Sequence, residues 1–110
     1  MSQYVIIESR DPFESPDVGQ MYALAKDLSG EGNEVTVFLI QNGALATRSG
    51  AKVPGLADLL NKPNIKVLVD DYSLGERGIL ETELSSGINV ASMDQLIDSI
   101  VNEGPKVVWH

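Results

Sequence analysis

Five short apolar runs alternate with helical segments along this chain, and that alternation restricts the fold more than any other feature of the sequence. Valine and isoleucine dominate the runs, as they do in strands that are buried on both faces. Strands that alternate with helices form a parallel sheet with helices packed on both faces. The sequence therefore predicts an α/β fold built on one such sheet. Its strands are Tyr4–Glu8, Glu34–Ile40, Ile65–Val69, Ile88–Ala91 and Lys106–Trp109.

Most of the helices are predicted from apolar side chains that recur at helical spacing. Ser15 and Pro16 are residue types that favour the N-cap and the first position of the first helix, which ends near Gly30. Shorter helices are predicted at Leu56–Leu60 and at Ile79–Leu84. With 110 residues, the chain is expected to form a single domain over residues 1–110.

The last predicted helix has the clearest boundaries. Ser92 and Gln95 have the spacing of a capping box, in which two side chains bond the free N–H groups of the first turn. Gly104 and Pro105 end the helix, because proline cannot continue it. One face of this helix is apolar and carries Met93, Leu96, Ile97, Ile100 and Val101.

Long polar loops follow the first three strands, at Ser9–Asp17, Gln41–Gly55 and Asp70–Gly78. Right-handed crossovers place all three loops at the same edge of a parallel sheet. Ligands of such sheets usually bind at this edge, where the carboxyl ends of the strands lie. We therefore expect any binding site of the protein there.

The composition excludes several classes of site. The chain has no cysteine, which excludes disulfides, thiolate metal sites and thiol nucleophiles, and its single histidine, His110, argues against a histidine-rich metal site. A formal net charge of −8 disfavours nucleic acid and anionic membranes as partners. No apolar stretch approaches the roughly 20 residues that span a bilayer, and no signal peptide is recognisable. We expect a cytoplasmic protein without a metal or other cofactor.

Two adjacent carboxylates, Asp70 and Asp71, follow the third strand. Such a pair suits a hard cation or acid–base chemistry. Alternation along the strand, however, points the two side chains in opposite directions, so only one of them can face a given pocket. The favoured interpretation is that one aspartate caps the following helix or is simply hydrated. Arg77 is expected to pair with one of them and fix the loop.

The remaining candidates for a ligand or partner site lie at the same predicted edge. They are Asn42, Gly43 and Arg48 after the second strand, and Tyr72 after the third. Arg48 and Lys52 are cations that suit an anion, although hydrated surface charges explain them as well. No dinucleotide fingerprint or P-loop occurs, so nucleotide binding ranks last. Tyr72 is expected to pack over its loop.

Three segments occur in an order that resembles a known family. They are "EGNEVTVFLIQNGA", "IKVLVDDYSLGERGI" and "GINVASMDQLIDSI". In this order and spacing they resemble the DsrE/DsrF-like (DsrEFH-like) family of small sulfur-relay proteins, and the resemblance extends over nearly the whole chain. It implies a three-layer α/β/α fold with a five-stranded parallel sheet. It also implies assembly into homotrimers or homohexamers, or into complexes with related sulfur-relay subunits.

The resemblance also points to what this chain lacks. Active members of the family hold a cysteine at the exit of the third strand, and that cysteine carries sulfane sulfur as a persulfide. Asp70 most nearly occupies its place, with Asp71 one residue further on. A carboxylate cannot form a persulfide, because that chemistry needs a sulfur nucleophile. The resemblance therefore implies no catalytic residue, and a non-catalytic, oligomer-forming subunit or binding protein related to intracellular sulfur relay.

An alternative function remains from the residues alone. It is a metal- or small-anion-binding enzyme that uses Asp70 or Asp71 at the strand exit, with Glu8 or Asp11 across the loops. This alternative predicts that carboxylates from the first and third strands lie close together at the carboxyl edge of the sheet.

Overall fold

Parallel pairing joins five strands into one sheet in the computed structural model, which describes residues 2–110. Met1, the first residue of the predicted domain, lies outside the described residues. The strand order is β4-β3-β2-β1-β5, so β1 lies between β2 and β5. The predicted five-stranded parallel sheet is thus confirmed. The strands are β1 (Gln3–Glu8), β2 (Glu34–Leu39), β3 (Ile65–Asp70), β4 (Ile88–Ala91) and β5 (Lys106–Trp109).

Helices cover both faces of the sheet and complete the predicted three layers. Helix α1 (Val18–Gly30) and helix α2 (Leu56–Leu60) pack together on one face, and α4 (Met93–Glu103) packs on the other. The short helix α3 (Asp71–Glu76) directly follows β3. A 3-10 helix at Gln41–Thr47 follows β2, and a second one spans Glu81–Glu83. In the described part of the chain, no helix is long and apolar enough to cross a membrane.

Each face of the sheet has its own apolar core. The larger core lies under α1 and α2, where Tyr22 and Leu59 pack on the buried side chains Ile6, Val37 and Val67. The smaller core lies under α4, where Leu96 packs with Val5, Ile7, Phe38 and Ile40. Each fully buried aliphatic side chain contributes about 1.5–3 kcal/mol of transfer free energy, so the strands are fixed chiefly by this burial. Their register then fixes what lies at the strand exits.

The predicted start of the first helix at Ser15 and Pro16 is wrong. The backbone N–H groups of Glu14 and Ser15 donate to the carbonyl of Asp11, which forms a turn before the helix. Asp17 is the N-cap, but its side chain does not cap. That carboxylate is bonded to Arg10 and His110 instead, so a tertiary contact replaces the local one.

The prediction of a loop at Asp70–Gly78 is also wrong, because most of this segment forms helix α3. The Asp70 side chain caps this helix, as one of the two favoured interpretations of the aspartate pair predicted. The helix predicted at Ile79–Leu84 is reduced to the short 3-10 helix at Glu81–Glu83. Ile79 is buried, and its N–H donates to the Leu74 carbonyl, which closes the end of α3.

Helix α4 begins and ends where the sequence predicts. The capping box of Ser92 and Gln95 is formed, and Gly104 ends the helix with a left-handed φ of +61°. The apolar face of the sequence, however, divides into two rows. Leu96 and Ile100 pack on the sheet. The other row, at i, i+4 and i+8, is exposed to solvent and consists of Met93, Ile97 and Val101.

Candidate functional site

The loops that follow β1, β2 and β3 meet at the carboxyl edge of the sheet. The N–H of Ile40 donates to the Glu8 carbonyl at 3.0 Å, which joins the exits of β1 and β2. The N–H of Gln41 donates to Ser73 Oγ at 2.8 Å, which joins the exit of β2 to helix α3. Gln41 has a φ of +49°, a value that non-glycine residues rarely adopt. The edge is therefore tied together by the loop after β2.

Asp70 is a buried carboxylate at the exit of β3, with only 4% of its surface exposed. Its Oδ2 accepts hydrogen bonds from the N–H of Ser73 at 3.0 Å and from Ser73 Oγ at 2.7 Å. Its Oδ1 is buried and has no hydrogen-bond partner among residues 2–110. One oxygen of Asp70 thus holds the first turn of α3, and the other is a free acceptor.

Asp71 and Tyr72 point away from Asp70 and into solvent. The Asp71 carboxylate is exposed and accepts the N–H of Tyr72 at 2.6 Å. Tyr72 is 70% exposed, so it does not pack over the loop as the sequence had suggested. Asp70 is buried and Asp71 is exposed, so the two carboxylates lie in different environments.

Arg77 bonds the loop after β2 instead of an aspartate, contrary to the prediction from the sequence. Its Nη2 and Nε donate to Asn42 Oδ1 at 3.0 and 3.3 Å. Its Nη1 donates to the Ser73 carbonyl at 3.1 Å and lies 3.7 Å from Glu76 Oε1. Oδ2 of Asp70 caps α3, and the Arg77 guanidinium reaches the neighbouring loop. Arg77 and Asn42 therefore act together as a clamp between two loops.

Gly43 is the position of closest approach between the loop after β2 and strand β1. A Cβ atom on Gly43 would overlap the carbonyl oxygen of Glu8. Gly43 is buried, and its N–H donates to the Ile40 carbonyl at 2.9 Å. Gly43, which the sequence placed in a candidate ligand site, therefore has a packing role at the exits of β1 and β2.

A second buried carboxylate, Glu8, lies at the exit of β1 on the opposite face of the sheet from Asp70. Glu8 is fully buried, and its Oε1 lies 2.7 Å from His110 Nδ1. The other ring nitrogen, Nε2, lies 3.0 Å from Asp17 Oδ2. Arg10 reaches the same Asp17 oxygen at 3.2 Å, and its N–H donates to Glu8 Oε2. His110 therefore bridges two carboxylates, one through each ring nitrogen.

Sequence reasoning missed this cluster of Glu8, Asp17, Arg10 and His110, because its members are up to 102 residues apart along the chain. Only the position of Glu8 at the end of a strand pointed to it. The hydrogen bond with His110 is the main cause that lowers the pKa of Asp17. Tyr22 is buried close to Glu8, and its hydroxyl has no hydrogen-bond partner in the described part of the chain. Burial, followed by the negative charge of Glu8, raises the pKa of Tyr22.

Arg48 lies on a segment that pairs with the chain after the second 3-10 helix. The pairing is an antiparallel bridge between Arg48 and Leu84. Within residues 2–110, neither Arg48 nor Lys52 forms an ion pair. No group of three or more His, Cys, Asp or Glu side chains in that range is arranged to hold a metal ion.

Solved structures from three organisms have this fold. The chain matches the ychN protein from E. coli with a TM-score of 0.88 at 20% sequence identity over 100% of both chains. It matches a protein of unknown function, MTH1491, from Methanobacterium thermoautotrophicum with a TM-score of 0.83 at 16% identity, again over 100% of both chains. A third match is a conserved protein of unknown function, BT1422, from Bacteroides thetaiotaomicron, with a TM-score of 0.75 at 15% identity. That match covers 99% of this chain and 95% of the other.

Sequence comparison identifies the family. No curated protein matches this chain. The model of the DsrE/DsrF-like family, in contrast, matches residues 2–109, which is nearly the whole length. The same family was expected from the three segments quoted above. The chain therefore belongs to the DsrE/DsrF-like family, which is related to sulfur relay.

Proposed function

We propose that this protein is a DsrE-like subunit that does not carry sulfur, and that it acts in the cytoplasm as an oligomer-forming or binding protein related to sulfur relay. The single observation that carries the proposal is the burial and hydrogen bonding of the Asp70 side chain. Its carboxylate is buried and bonded twice by Ser73, so the position at the strand exit serves to hold helix α3. The chain has no cysteine anywhere that would carry sulfur in its place.

The proposal is tested by loading with a small sulfane-sulfur donor, followed by mass spectrometry of the intact protein. The wild-type protein is expected to gain no sulfur. Asp71→Cys is the positive control, because position 71 is exposed and one residue from the buried Asp70. Asp70→Cys is the matched comparison, since a thiol placed there is shielded from the donor. A wild-type protein that gains sulfur stoichiometrically contradicts the proposal.

Self-association is the second part of the proposal, and exposed apolar side chains support it. Val101 and Trp109 are 74% and 61% exposed. Trp109 pairs with Ile7 of β1, and Ile7 packs in the core beneath α4, so both side chains project from the α4 face of the sheet. Exposed tryptophan and aliphatic side chains on one face are typical of protein interfaces. The partner we propose is the chain itself, as a trimer or hexamer, or a related subunit.

Light scattering after size-exclusion chromatography tests this second part. The wild-type protein at about 100 μM is expected to have the mass of a trimer or hexamer. Val101→Glu is expected to lower that mass without lowering the melting temperature of the subunit. Leu80→Glu is the matched control, because Leu80 is 64% exposed against 74% for Val101 and lies outside α4 and β5. A monomeric wild-type protein at this concentration contradicts self-association.

The alternative enzyme that uses Asp70 or Asp71 is supported only by the free Oδ1 of Asp70. Asp71 points to solvent, and Glu8 is bonded to His110 and to the N–H of Arg10. A metal titration of the wild-type protein and Asp70→Asn, followed by thermal melting, tests it. Metal-dependent stabilisation of the wild type alone favours this alternative.

A further inference from the structure

We propose that an open cleft between the loops at the carboxyl edge binds a small zwitterion with an apolar side chain, which is the chemistry of a free apolar α-amino acid. The cleft has a volume of about 700 Å³. Its lining includes Phe13 from the loop after β1, Leu45, Arg48 and Ala51 from the loop after β2, and Glu83. The proposal names a ligand class for the binding role proposed above, and it is independent of self-association.

The two charged side chains of the cleft lie on paired segments and do not neutralise each other. The N–H of Ser49 donates to the Glu83 carbonyl at 2.7 Å, next to the bridge between Arg48 and Leu84. Within residues 2–110, Arg48 nevertheless forms no salt bridge with Glu83. A guanidinium binds a carboxylate through two parallel hydrogen bonds, and a carboxylate binds an ammonium group. The cleft therefore offers one partner for each end of a zwitterion.

The balance of charge in the cleft selects against polyanions. Arg48 is its cation, and the Glu83 carboxylate repels a second negative group on the ligand. A nucleotide or polyphosphate would place several negative charges against this single cation. A ligand with one negative and one positive group meets opposite charges at both ends. This arrangement agrees with the absence of a phosphate-binding motif from the sequence.

The apolar wall of the cleft suits a hydrocarbon side chain. Phe13 exposes most of its ring, and Leu45 and Ala51 line the same cleft. The Phe13 N–H donates to Asp11 Oδ1 at 2.8 Å, which fixes the turn that presents the ring. An aromatic ring beside aliphatic side chains binds flat or branched apolar groups, with a few polar groups fixing the orientation of the ligand.

Hydrogen bonds hold the cleft in this shape without a ligand. The Ser85 N–H donates to the Thr47 carbonyl at 2.7 Å, and the Ala51 N–H donates to the Arg48 carbonyl at 2.9 Å. The Leu80 N–H donates to Glu83 Oε1 at 2.8 Å, which fixes the position of that carboxylate and leaves Oε2 for a ligand. A preformed site loses less entropy on binding than a mobile one.

Three probes that share a phenyl ring test the proposal by amide chemical-shift titration of the isotope-labelled protein. They are phenylalanine, 3-phenylpropionate, which lacks the ammonium group, and phenethylamine, which lacks the carboxylate. Phenylalanine is expected to shift the amides of residues 48–51 and 83, with a Kd of about 1 mM. Each analogue is expected to bind at least about threefold more weakly, because one charged group of the cleft loses its partner.

Variants test whether the two charged side chains of the cleft bind phenylalanine, as opposed to other charges on the protein surface. Arg48→Gln and Glu83→Gln are each expected to weaken phenylalanine binding at least about fivefold. The glutamine at position 83 keeps an acceptor for the Leu80 N–H, so the fold of the loop is preserved. Lys52→Gln is the matched control, a nearby cation that does not line the cleft, and it is expected to bind as the wild type does.

Three outcomes overturn the proposal. They are the absence of phenylalanine shifts at these amides up to about 10 mM, equal binding of 3-phenylpropionate, and unchanged binding by Arg48→Gln. None of them bears on sulfur loading or on the mass of the assembly, which are measured separately. Failure of the cleft and failure of the proposed function are therefore distinguishable.

Discussion

At the scale of single residues, the exits of β1 and β2 depend on Gly43. Its Cα faces the Glu8 carbonyl so closely that no side chain fits between them. The sequence placed Gly43 in a candidate ligand site, but nothing local to "QNGA" revealed the neighbouring backbone. A residue that lies 35 positions earlier in the chain decides its role. Packing against a distant backbone segment requires glycine at this position, and the hydrophobic periodicity of the sequence does not predict that requirement.

Gly43→Ala is expected to destabilise the protein by about 1–3 kcal/mol, because the added methyl group forces the two strand exits apart. Urea denaturation followed by circular dichroism measures the change. Gly19→Ala is the matched control, since a Cβ there meets no atom within 4 Å. Gly19 lies inside α1, so its replacement is expected to cost nothing or to stabilise slightly. Equal stability of the two variants would contradict the proposed packing role of Gly43.

The cluster around His110 is expected to make stability depend on acidity. The pKa of Asp17 is lower in the folded protein than its usual value of 3.8, chiefly because of the hydrogen bond with His110. A lowered carboxylate pKa stabilises the folded state above the unfolded pKa, and this stabilisation disappears as the pH falls through the folded pKa. Urea unfolding of wild type and Asp17→Asn is the measurement. Their difference is expected near neutral pH and should vanish in strong acid.

A persistent difference between those two proteins at low pH would show that Asp17 acts through packing rather than charge. Asp11→Asn is a suitable control, because within residues 2–110 its carboxylate bonds only the backbone of its own turn. That variant is expected to unfold nearly as the wild type does over the whole range.

At the scale of elements, helix α3 shows where sequence reasoning succeeds and where it stops. The sequence suggested that one aspartate either caps the following helix or is hydrated, because a side-chain oxygen before a helix is a local feature, and Asp70 is the cap. The extent of α3 was missed, since "DDYSLGERG" contains only one large aliphatic residue, Leu74. Leu74 is buried in the larger core, so tertiary packing of this side chain helps to fix the helix. Hydrophobic periodicity in the sequence does not predict such tertiary contacts.

Asp70→Ala is expected to destabilise the protein by about 1–2 kcal/mol and to loosen α3, because the N–H and hydroxyl of Ser73 lose their acceptor. Hydrogen exchange of the amides in residues 71–76 localises the effect. Asp71→Ala is the matched control, since its exposed carboxylate bonds only the adjacent N–H. Slow exchange retained in Asp70→Ala would argue against the cap.

At the scale of the whole molecule, the alternation of apolar runs and helical segments predicted the strands and layers. It did not predict which side chains meet at the carboxyl edge of the sheet. Strand bounds agree to within one residue for all five strands. The contacts of Arg77 with Asn42, and of His110 with Glu8, join different strand exits. Both required knowledge of which strands are neighbours. Strand order was not predicted, so side chains from distant segments could not be brought together.

The emission of Trp109 is expected to report assembly of the whole molecule. It is the only tryptophan, and it is mostly exposed in the isolated chain. If the α4 face forms the interface, emission shifts to shorter wavelength as concentration rises, because the ring leaves water. Dilution from about 100 μM to about 1 μM should reverse the shift. A wavelength independent of concentration, in a protein of oligomeric mass, would place the interface elsewhere.

The position of β5 beside β1 has a consequence for how the chain acquires its shape. Pairing of Tyr4 with Lys106 joins positions that are separated by nearly the whole sequence. On the ribosome, β1 has one flank without a neighbour until residues 106–109 have emerged. A nascent chain of this topology therefore carries an open backbone edge through most of its translation, which favours association with other chains before its own last strand arrives.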